Sequence, residues 1–78
     1  MEQLKKYNAA FVEIVGVSED QLPGLVYQAT AGWDSVGHMQ LMTQLEEVFG
    51  VALEMEDILE FSGYEKGMDI LRKYGVTF

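Results

Sequence analysis

The chain has 78 residues, of which 49% are hydrophobic, no cysteine, and a net charge of −8 at pH 7. This length predicts a single domain over residues 1–78, and the lack of cysteine excludes a disulfide framework or a thiolate metal site. The apolar content excludes a disordered acidic tail. No stretch approaches the roughly 20 apolar residues of a membrane span, and the first residues lack the apolar run of a signal peptide. We therefore expect a soluble cytoplasmic protein.

The charges are distributed unevenly along the chain. No lysine or arginine occurs between positions 7 and 65, where most of the acidic residues lie. The basic residues are near the ends: Lys5, Lys6, Lys66, Arg72 and Lys73. The middle of the chain therefore predicts an anionic surface that repels nucleic acid and attracts basic protein partners. Solubility alone is the simpler explanation of the same charge.

The first third of the chain predicts one helix and a long loop. The spacing of apolar residues predicts a helix from Gln3 to Val15, which Gly16 ends. Its apolar stripe consists of Leu4, Tyr7, Ala10, Phe11, Ile14 and Val15. From Val17 to Trp33 the pattern is irregular and predicts a loop that wraps the other helices. The apolar residues that anchor this loop are Leu22, Leu25, Val26 and Tyr27.

A second helix is predicted from Ser35 to Phe49, because Asp34 suits the N-cap and Gly50 suits the C-terminal stop. Its apolar face is predicted to contain Val36, Met39, Leu41, Met42, Leu45, Val48 and Phe49. Gly37 weakens the first turn by about 1 kcal/mol relative to alanine. Close packing of the backbone and clearance for a docking enzyme are both open explanations of this glycine.

The last third predicts a linker and two more helices. Residues 51–55 alternate like a strand, but no partner strand is predicted, so an extended linker is favoured. Glu56 to Phe61 is predicted as a short helix that buries Ile58, Leu59 and Phe61. Ser62-Gly63-Tyr64-Glu65 indicates a capping box at the start of a last helix, which ends before Gly75. The apolar stripe of this helix is Tyr64, Met68, Leu71 and Tyr74. The predicted fold class is all-α, a small four-helix bundle with three main helices and one short helix.

Ser35 is the residue with distinctive chemistry. Next to an N-cap, its hydroxyl lies in the first helical turn and can point outward. A phosphate on this hydroxyl would meet unpaired backbone N–H groups at the positive end of the helix dipole. An isolated Asp-Ser pair is more often an ordinary helix start, so the flanking residues decide its interpretation.

Those flanking residues carry a family resemblance. Gly32-Trp33-Asp34-Ser35-Val36 resembles the G-x-D-S-[LIV] signature of acyl carrier proteins, and residues 45–50 resemble the LEEEFG that closes their second helix. The resemblance implies that a phosphopantetheinyl transferase (holo-acyl carrier protein synthase) attaches 4′-phosphopantetheine from coenzyme A to Ser35. The thiol of this arm would then carry an acyl group as a thioester. Asp34 would cap the helix and help the transferase to orient its substrate.

The resemblance also implies partners and a docking surface. The partners would be acyl ligases, acyltransferases and synthases with basic surfaces, and the carrier itself would be a monomer without catalysis or a metal site. The docking surface would be formed by Val36, Glu46, Glu47, Glu54, Glu56 and Asp57. Trp33 replaces the small residue usual in fatty acid synthesis ("GADSLD") and is more similar to carriers of specialised pathways. The carried group is therefore a fatty acyl chain, a short modified acyl group, or an amino acid as in peptidyl and D-alanyl carriers.

Two alternatives come from other classes of protein. A hydrolase is suggested by Asp34, Ser35 and His38, but Trp33 stands where a nucleophile elbow needs glycine, and side chains within one turn diverge. An acidic helical interaction module that is never modified would share the same fold and surface. His38 lies about one turn past Ser35 and would either contact the arm's phosphate or a docking enzyme, or be exposed to solvent.

The methionines allow a further hypothesis. Met39, Met42, Met55 and Met68 are most simply core residues. Because methionine side chains are flexible, they would also let a pocket between the helices open and shelter the carried chain.

Overall fold

The computed structural model describes residues 2–78, so Met1 of the predicted domain lies outside the described part. The helices are α1 (Glu2–Val15), α2 (Ser35–Phe49), α3 (Met55–Glu60) and α4 (Tyr64–Lys73), with a 3₁₀ helix at Glu19–Gln21. Within residues 2–78 the only β-type pairing is an isolated antiparallel bridge between Val26 and Gly63. The predicted all-α bundle of three longer helices and one short helix is confirmed.

The ends of α2 and the linker after it follow the sequence signals. Gly50 adopts φ 65°, which is the left-handed conformation that glycine tolerates best, and its N–H donates to the carbonyl of Glu46. Residues 51–54 are not helical, which agrees with the predicted linker. The carboxylate of Glu46 accepts a hydrogen bond of 2.8 Å from the N–H of Leu53 and so fixes the direction of this linker.

The predicted capping box at residues 62–65 is wrong. Gly63, not Ser62, is the N-cap of α4, so no hydroxyl is available at that position to accept from the first turn. The carboxylate of Glu65 instead accepts a hydrogen bond of 2.9 Å from the N–H of Gly24 in the long loop. Glu65 therefore ties two distant parts of the chain together.

The long loop is also attached to the connection between α3 and α4 through its backbone. The N–H of Tyr27 donates to the carbonyl of Ser62 at 2.9 Å, and the N–H of Tyr64 donates to the carbonyl of Leu25 at 2.8 Å. The predicted anchors Leu22 and Leu25 are buried, whereas Val26 is 53% exposed. Val26 was predicted as an anchor, but its backbone forms the bridge to Gly63, and its side chain is left in solvent.

The core is centred on aromatic residues that come from all parts of the chain. Trp33 is fully buried, and its ring lies edge-on to that of Phe11, with centroids 5.3 Å apart. The ring of Phe11 also contacts those of Tyr7, Phe61 and Tyr64. Edge-to-face pairs of this kind add about 0.5–1.5 kcal/mol each beyond the burial of their area. The residue just before the Asp34-Ser35 pair is thus fixed by the core.

Four apolar residues that the sequence pattern assigned to the core are exposed, and one of them, Val36, was also predicted as a docking residue, which agrees with its exposure. Their exposed fractions are 64% for Val36, 49% for Met39, 64% for Met55 and 75% for Leu59. The face of α2 that packs inward is formed by Gly37, Leu41, Met42 and Leu45. Val36 and Met39 lie outside this stripe because a turn of about 100° per residue places them on the other side of the helix. None of the helices within residues 2–78 is long and apolar enough to cross a membrane.

Candidate functional site

The site is built on residues 32–36, which we call the serine turn. Asp34 is the N-cap of α2, as predicted, and its Oδ1 accepts a hydrogen bond of 2.8 Å from the N–H of Gly37. Ser35 and Val36 are both exposed, so the Ser35 hydroxyl is accessible. The backbone N–H groups of Ser35 and Val36 have no carbonyl partner within the helix, because the first intrahelical hydrogen bond is donated by His38 to Asp34. A phosphate ester on Ser35 fits this geometry, because these N–H groups and the helix dipole both favour negative charge.

Two glycines let the backbone fold closely around the serine turn. A Cβ on Gly32 would lie 1.9 Å from the carbonyl oxygen of Val15, and a Cβ on Gly37 would lie 2.2 Å from the carbonyl oxygen of Gly32. Both distances are far below van der Waals contact. Of the two explanations of Gly37, the structure supports close packing, because the backbone of the serine turn occupies the space that a side chain would need.

The loop before the serine turn is closed by its own hydrogen bonds. The N–H of Gln28 donates to the carbonyl of Trp33 at 3.0 Å, and the N–H of Trp33 donates to the carbonyl of Thr30 at 3.2 Å. Gln28 adopts φ 68°, a left-handed conformation that costs a non-glycine residue about 1–2 kcal/mol. The loop therefore accepts local backbone strain where it turns toward Trp33.

His38 joins the serine turn to α3. The indole N–H of Trp33 donates to Nδ1 of His38 at 2.9 Å, and Nε2 of His38 lies 2.8 Å from the carbonyl oxygen of Ile58. The imidazole is half-buried, and the ring of Tyr27 packs against it at 5.2 Å. The alternative in which His38 is exposed to solvent is wrong, because the ring is half-buried and its nitrogens are bonded to Trp33 and Ile58. The alternative in which it contacts the arm's phosphate or a docking enzyme stays a prediction.

This geometry also argues against the hydrolase. A catalytic base must hydrogen-bond its nucleophile, but His38 is bonded to Trp33 and Ile58, not to Ser35. The carboxylate of Asp34 is bonded to the backbone at Gly37, so it does not orient the imidazole. The three residues are close in sequence, but the side-chain hydrogen bonds of Asp34 and His38 go to other groups, not to each other or to Ser35.

The acidic residues divide into an exposed group and a structural group. Glu47, Glu54 and Glu56 are exposed, as predicted for a docking surface. Glu46 is half-buried, and its carboxylate is bonded to the linker at Leu53. Glu46 was predicted for the docking surface, but only part of its side chain is exposed, because its carboxylate binds the backbone of the linker after α2.

Asp57 is a second correction to the predicted docking surface. It is only 9% exposed, and its carboxylate accepts hydrogen bonds from Lys73 at 2.6 Å and from the hydroxyl of Tyr74. These hydrogen bonds hold the pKa of the carboxyl below its usual value, with that from Lys73 contributing most. The Tyr74 hydroxyl also accepts from the N–H of Glu54 at 3.0 Å. Asp57 therefore fastens the start of α3 to the end of α4 and is not part of the exposed surface.

Of the exposed apolar residues, Val36 was predicted for the docking surface, whereas Met39, Met55 and Leu59 were missed because the sequence pattern assigned them to the core. Met39 follows His38 on α2, and Leu59 follows Ile58 on α3. Of the predicted core methionines, Met42 is buried and Met68 is half-buried, whereas Met39 and Met55 are exposed. The signal that could have distinguished the exposed Met39 from the buried Met42 is the inward stripe of α2, which is centred on Leu41 and Leu45.

A cavity of about 100 Å³ lies between α3 and α4, away from the serine turn. It is lined by Glu60, Lys66, Asp69, Ile70 and Lys73. Binding pockets for small molecules usually have about 300–1,000 Å³, so this cavity is too small for a long acyl chain. Within residues 2–78 no group of three or more histidine, cysteine or acidic side chains is arranged to hold a metal ion.

Comparison with known protein families gives the function of this arrangement. Residues 9–65 match the family PP-binding, described as "Phosphopantetheine attachment site". The match covers well over half of the chain and includes the whole serine turn. A comparison with curated proteins yields no match. The chain therefore belongs to the phosphopantetheine attachment family, whose members are non-catalytic carrier domains with 4′-phosphopantetheine as prosthetic group.

Proposed function

We propose that residues 1–78 act as a stand-alone acyl carrier protein with Ser35 as the attachment residue. A phosphopantetheinyl transferase would form a phosphodiester between the Ser35 hydroxyl and the 4′-phosphopantetheine of coenzyme A. The arm supplies a thiol that carries acyl groups as thioesters. The protein would then present these groups to the enzymes of fatty acid or specialised acyl metabolism.

One observation carries this proposal: Ser35 is exposed at the start of a helix whose N-cap is already in place. Because Asp34 takes the N–H of Gly37, the carboxylate is held at the backbone and does not occupy the space in front of Ser35. Trp33 is fully buried just before it, so the core fixes the direction of the turn. The hydroxyl is therefore presented in a fixed place, as a modifying enzyme requires.

The docking surface that we propose combines exposed acidic and apolar side chains. Glu47, Glu54 and Glu56 contribute negative charge, and Val36, Met39, Met55 and Leu59 contribute apolar area. Exposed apolar side chains of this size, close to charged residues, are typical of surfaces that bind other proteins. Charge would speed the encounter with a basic partner, and the apolar side chains would hold the complex.

Trp33 supports a carrier for specialised acyl groups over one for fatty acid synthesis. The indole fills the core between Phe11 and Tyr27, where the small residue usual in fatty acid synthesis would leave a gap. The filled core favours a short acyl group or an amino acid, which needs no shelter there.

The test is the intact mass of the purified protein after incubation with a broad-specificity phosphopantetheinyl transferase, coenzyme A and magnesium. We expect a mass gain of one phosphopantetheine in the wild type and none in Ser35→Ala. Ser62→Ala is the matched control, because Ser62 is exposed but does not lie at a helix N-cap or in the serine turn. It should be modified as the wild type is.

Two outcomes would contradict the proposal. A mass gain that persists in Ser35→Ala would move the attachment to another residue. No gain in a folded wild-type protein, with a transferase that modifies a known carrier in parallel, would favour an unmodified acidic interaction module. Incubation of the modified protein with candidate ligases and acyl or amino acid substrates would then identify the carried group.

A further inference from the structure

His38 is the only histidine of the chain, and both of its ring nitrogens are used. Nδ1 accepts the indole N–H of Trp33 at 2.9 Å, and Nε2 lies 2.8 Å from the carbonyl oxygen of Ile58. An indole N–H can only donate and a carbonyl oxygen can only accept. The two partners therefore require one form of the ring, which is the neutral imidazole with its proton on Nε2.

This arrangement connects α3 to the serine turn at one end of that helix. Ile58 lies in the second half of α3, whereas the first half is fastened to α4 through Asp57 and Lys73. A helix of six residues does not form by itself in water and depends on such contacts. His38 is therefore one of the side chains, together with Asp57 and the buried Ile58, that attach α3 to the rest of the domain.

We infer that His38 is a positioning residue that holds α3 against the serine turn only while its imidazole is neutral. Protonation places a hydrogen on Nδ1, so that two donors face each other across the contact with Trp33. The indole is fully buried, so water cannot replace the lost acceptor without opening the structure. The carboxyl-terminal half of α3 would then separate from α2.

The charged and titratable groups around His38 do not compensate for this. From the long loop, the ring of Tyr27 packs against the imidazole at 5.2 Å. From α2 itself, the Asp34 carboxylate is bonded to the N–H of Gly37. From α3, the Asp57 carboxylate is paired with Lys73. Neither of the two ion pairs within residues 2–78 includes His38.

The consequence concerns the docking surface and rests on the proposed function. Met39 lies on α2 and Leu59 on α3, and both are exposed. If α3 separates from α2, the positions of these two side chains relative to each other change. An enzyme that recognises both helices would therefore bind the carrier with the protonated ring less well than the carrier with the neutral ring.

The inference can be tested by NMR on the full chain with variants of His38. The chain contains a single tryptophan, so its indole N–H gives one resonance to follow. His38→Gln is the informative variant, because its planar amide offers one acceptor and one N–H donor but binds no proton. His38→Ala removes both hydrogen bonds.

In the wild type we expect the indole N–H and the amides of residues 55–60 to shift together with the His38 ring protons as the pH is lowered. In His38→Gln these resonances should stay near their neutral positions throughout. In His38→Ala they should stay at the acidic positions at every pH. The inference is overturned if the wild-type resonances of α3 and the indole do not follow the ring, or if His38→Gln shifts as the wild type does.

A second readout separates this inference from the proposed function. The rate at which the transferase modifies the wild type is divided by the rate for His38→Gln at each pH, so that the enzyme's own pH dependence cancels. We expect this ratio to fall as the pH is lowered, and a constant ratio would contradict the effect on docking. If neither protein is modified at any pH, the proposed function fails, and the NMR titration still decides whether His38 releases α3.

Discussion

The carbonyl oxygen of Gly32 lies 2.2 Å from the place where a Cβ of Gly37 would stand, so the serine turn and the first turn of α2 touch through bare backbone. Gly37→Ala improves helix propensity by about 1 kcal/mol, but an added methyl in so tight a place costs about 1–3 kcal/mol. Because backbone cannot move aside as a flexible side chain can, the cost should lie near the upper end of that range, which gives a net loss of about 2 kcal/mol. Urea unfolding followed by circular dichroism measures it. Thr43→Ala, exposed in the same helix, is the control, and a Gly37→Ala protein as stable as this control would contradict the close packing.

Gln28 is held at φ 68° without being a glycine. Gln28→Gly should raise the free energy of unfolding by about 0.5–1 kcal/mol, because relief of the left-handed strain exceeds the added freedom of the unfolded chain. The adjacent, exposed Ala29 does not have a positive φ, so Ala29→Gly should lower it. Equal effects of the two substitutions in chemical denaturation would show that Gln28 is not strained.

The contact between Asp57 and Lys73 predicts a dependence of stability on acid. The pKa of Asp57 is lower in the folded protein than in the unfolded chain, so the contact stabilises the fold fully above the unfolded value of about 4. This contribution is lost as the pH falls through the lower, folded value. Asp57→Asn should therefore melt at a lower temperature than the wild type at pH 7, and the difference should shrink below about pH 4.

Glu56→Gln is the matched control for Asp57→Asn, because Glu56 is its neighbour in α3 and is exposed. It should change the melting temperature little at any pH. A difference between wild type and Asp57→Asn that persists undiminished at the most acid pH would mean that packing, not the charged contact, explains the effect.

The acidic part of the proposed docking surface predicts a dependence on salt. The affinity of the transferase for the carrier should fall as ionic strength rises, since exposed charges are screened. Glu47→Gln with Glu56→Gln should weaken binding by about 0.5–1 kcal/mol per charge at low salt and reduce the salt dependence. The double variant Glu2→Gln with Glu13→Gln removes the same charge from the exposed part of α1 and serves as control. Equal losses of affinity in the two double variants, measured by titration calorimetry, would mean that only total charge matters.

The apolar part of this surface gives a separate prediction. Leu59 is 75% exposed, so Leu59→Ser should change the free energy of unfolding by no more than about 0.5 kcal/mol. Its effect should appear in the affinity for a partner enzyme. Val12→Ser, on the exposed side of α1, is the control that should leave this affinity unchanged. If both variants bind as the wild type does, Leu59 does not belong to the docking surface.

The features that could be predicted from sequence are those with local causes. The start of α2 at Asp34-Ser35 and its end at Gly50 follow from residues within one turn of each boundary. The exposure of Ser35 follows from the same local geometry. These features depend on backbone hydrogen bonds between near neighbours, which short motifs describe well.

The features that could not be predicted depend on partners far away in sequence. Asp57 is buried because Lys73 and Tyr74 reach it from α4, and His38 is half-buried because α3 brings the Ile58 carbonyl to it. The apolar face of α2 was predicted wrongly for a different reason. An apolar residue that faces a protein partner looks the same in sequence as one that faces the core, so Met39 was assigned to the core although it is exposed.

The attachment of the long loop to the start of α4 has a consequence for the order in which the domain is made. The loop that leads to the serine turn is fastened by the hydrogen bond between Gly24 and Glu65 and by the pairing of Leu25 with Tyr64. During synthesis, Ser35 leaves the ribosome long before these partners exist. We therefore expect a nascent chain to become a substrate for the transferase only after α4 has left the ribosome. Only a fully folded carrier would then be modified.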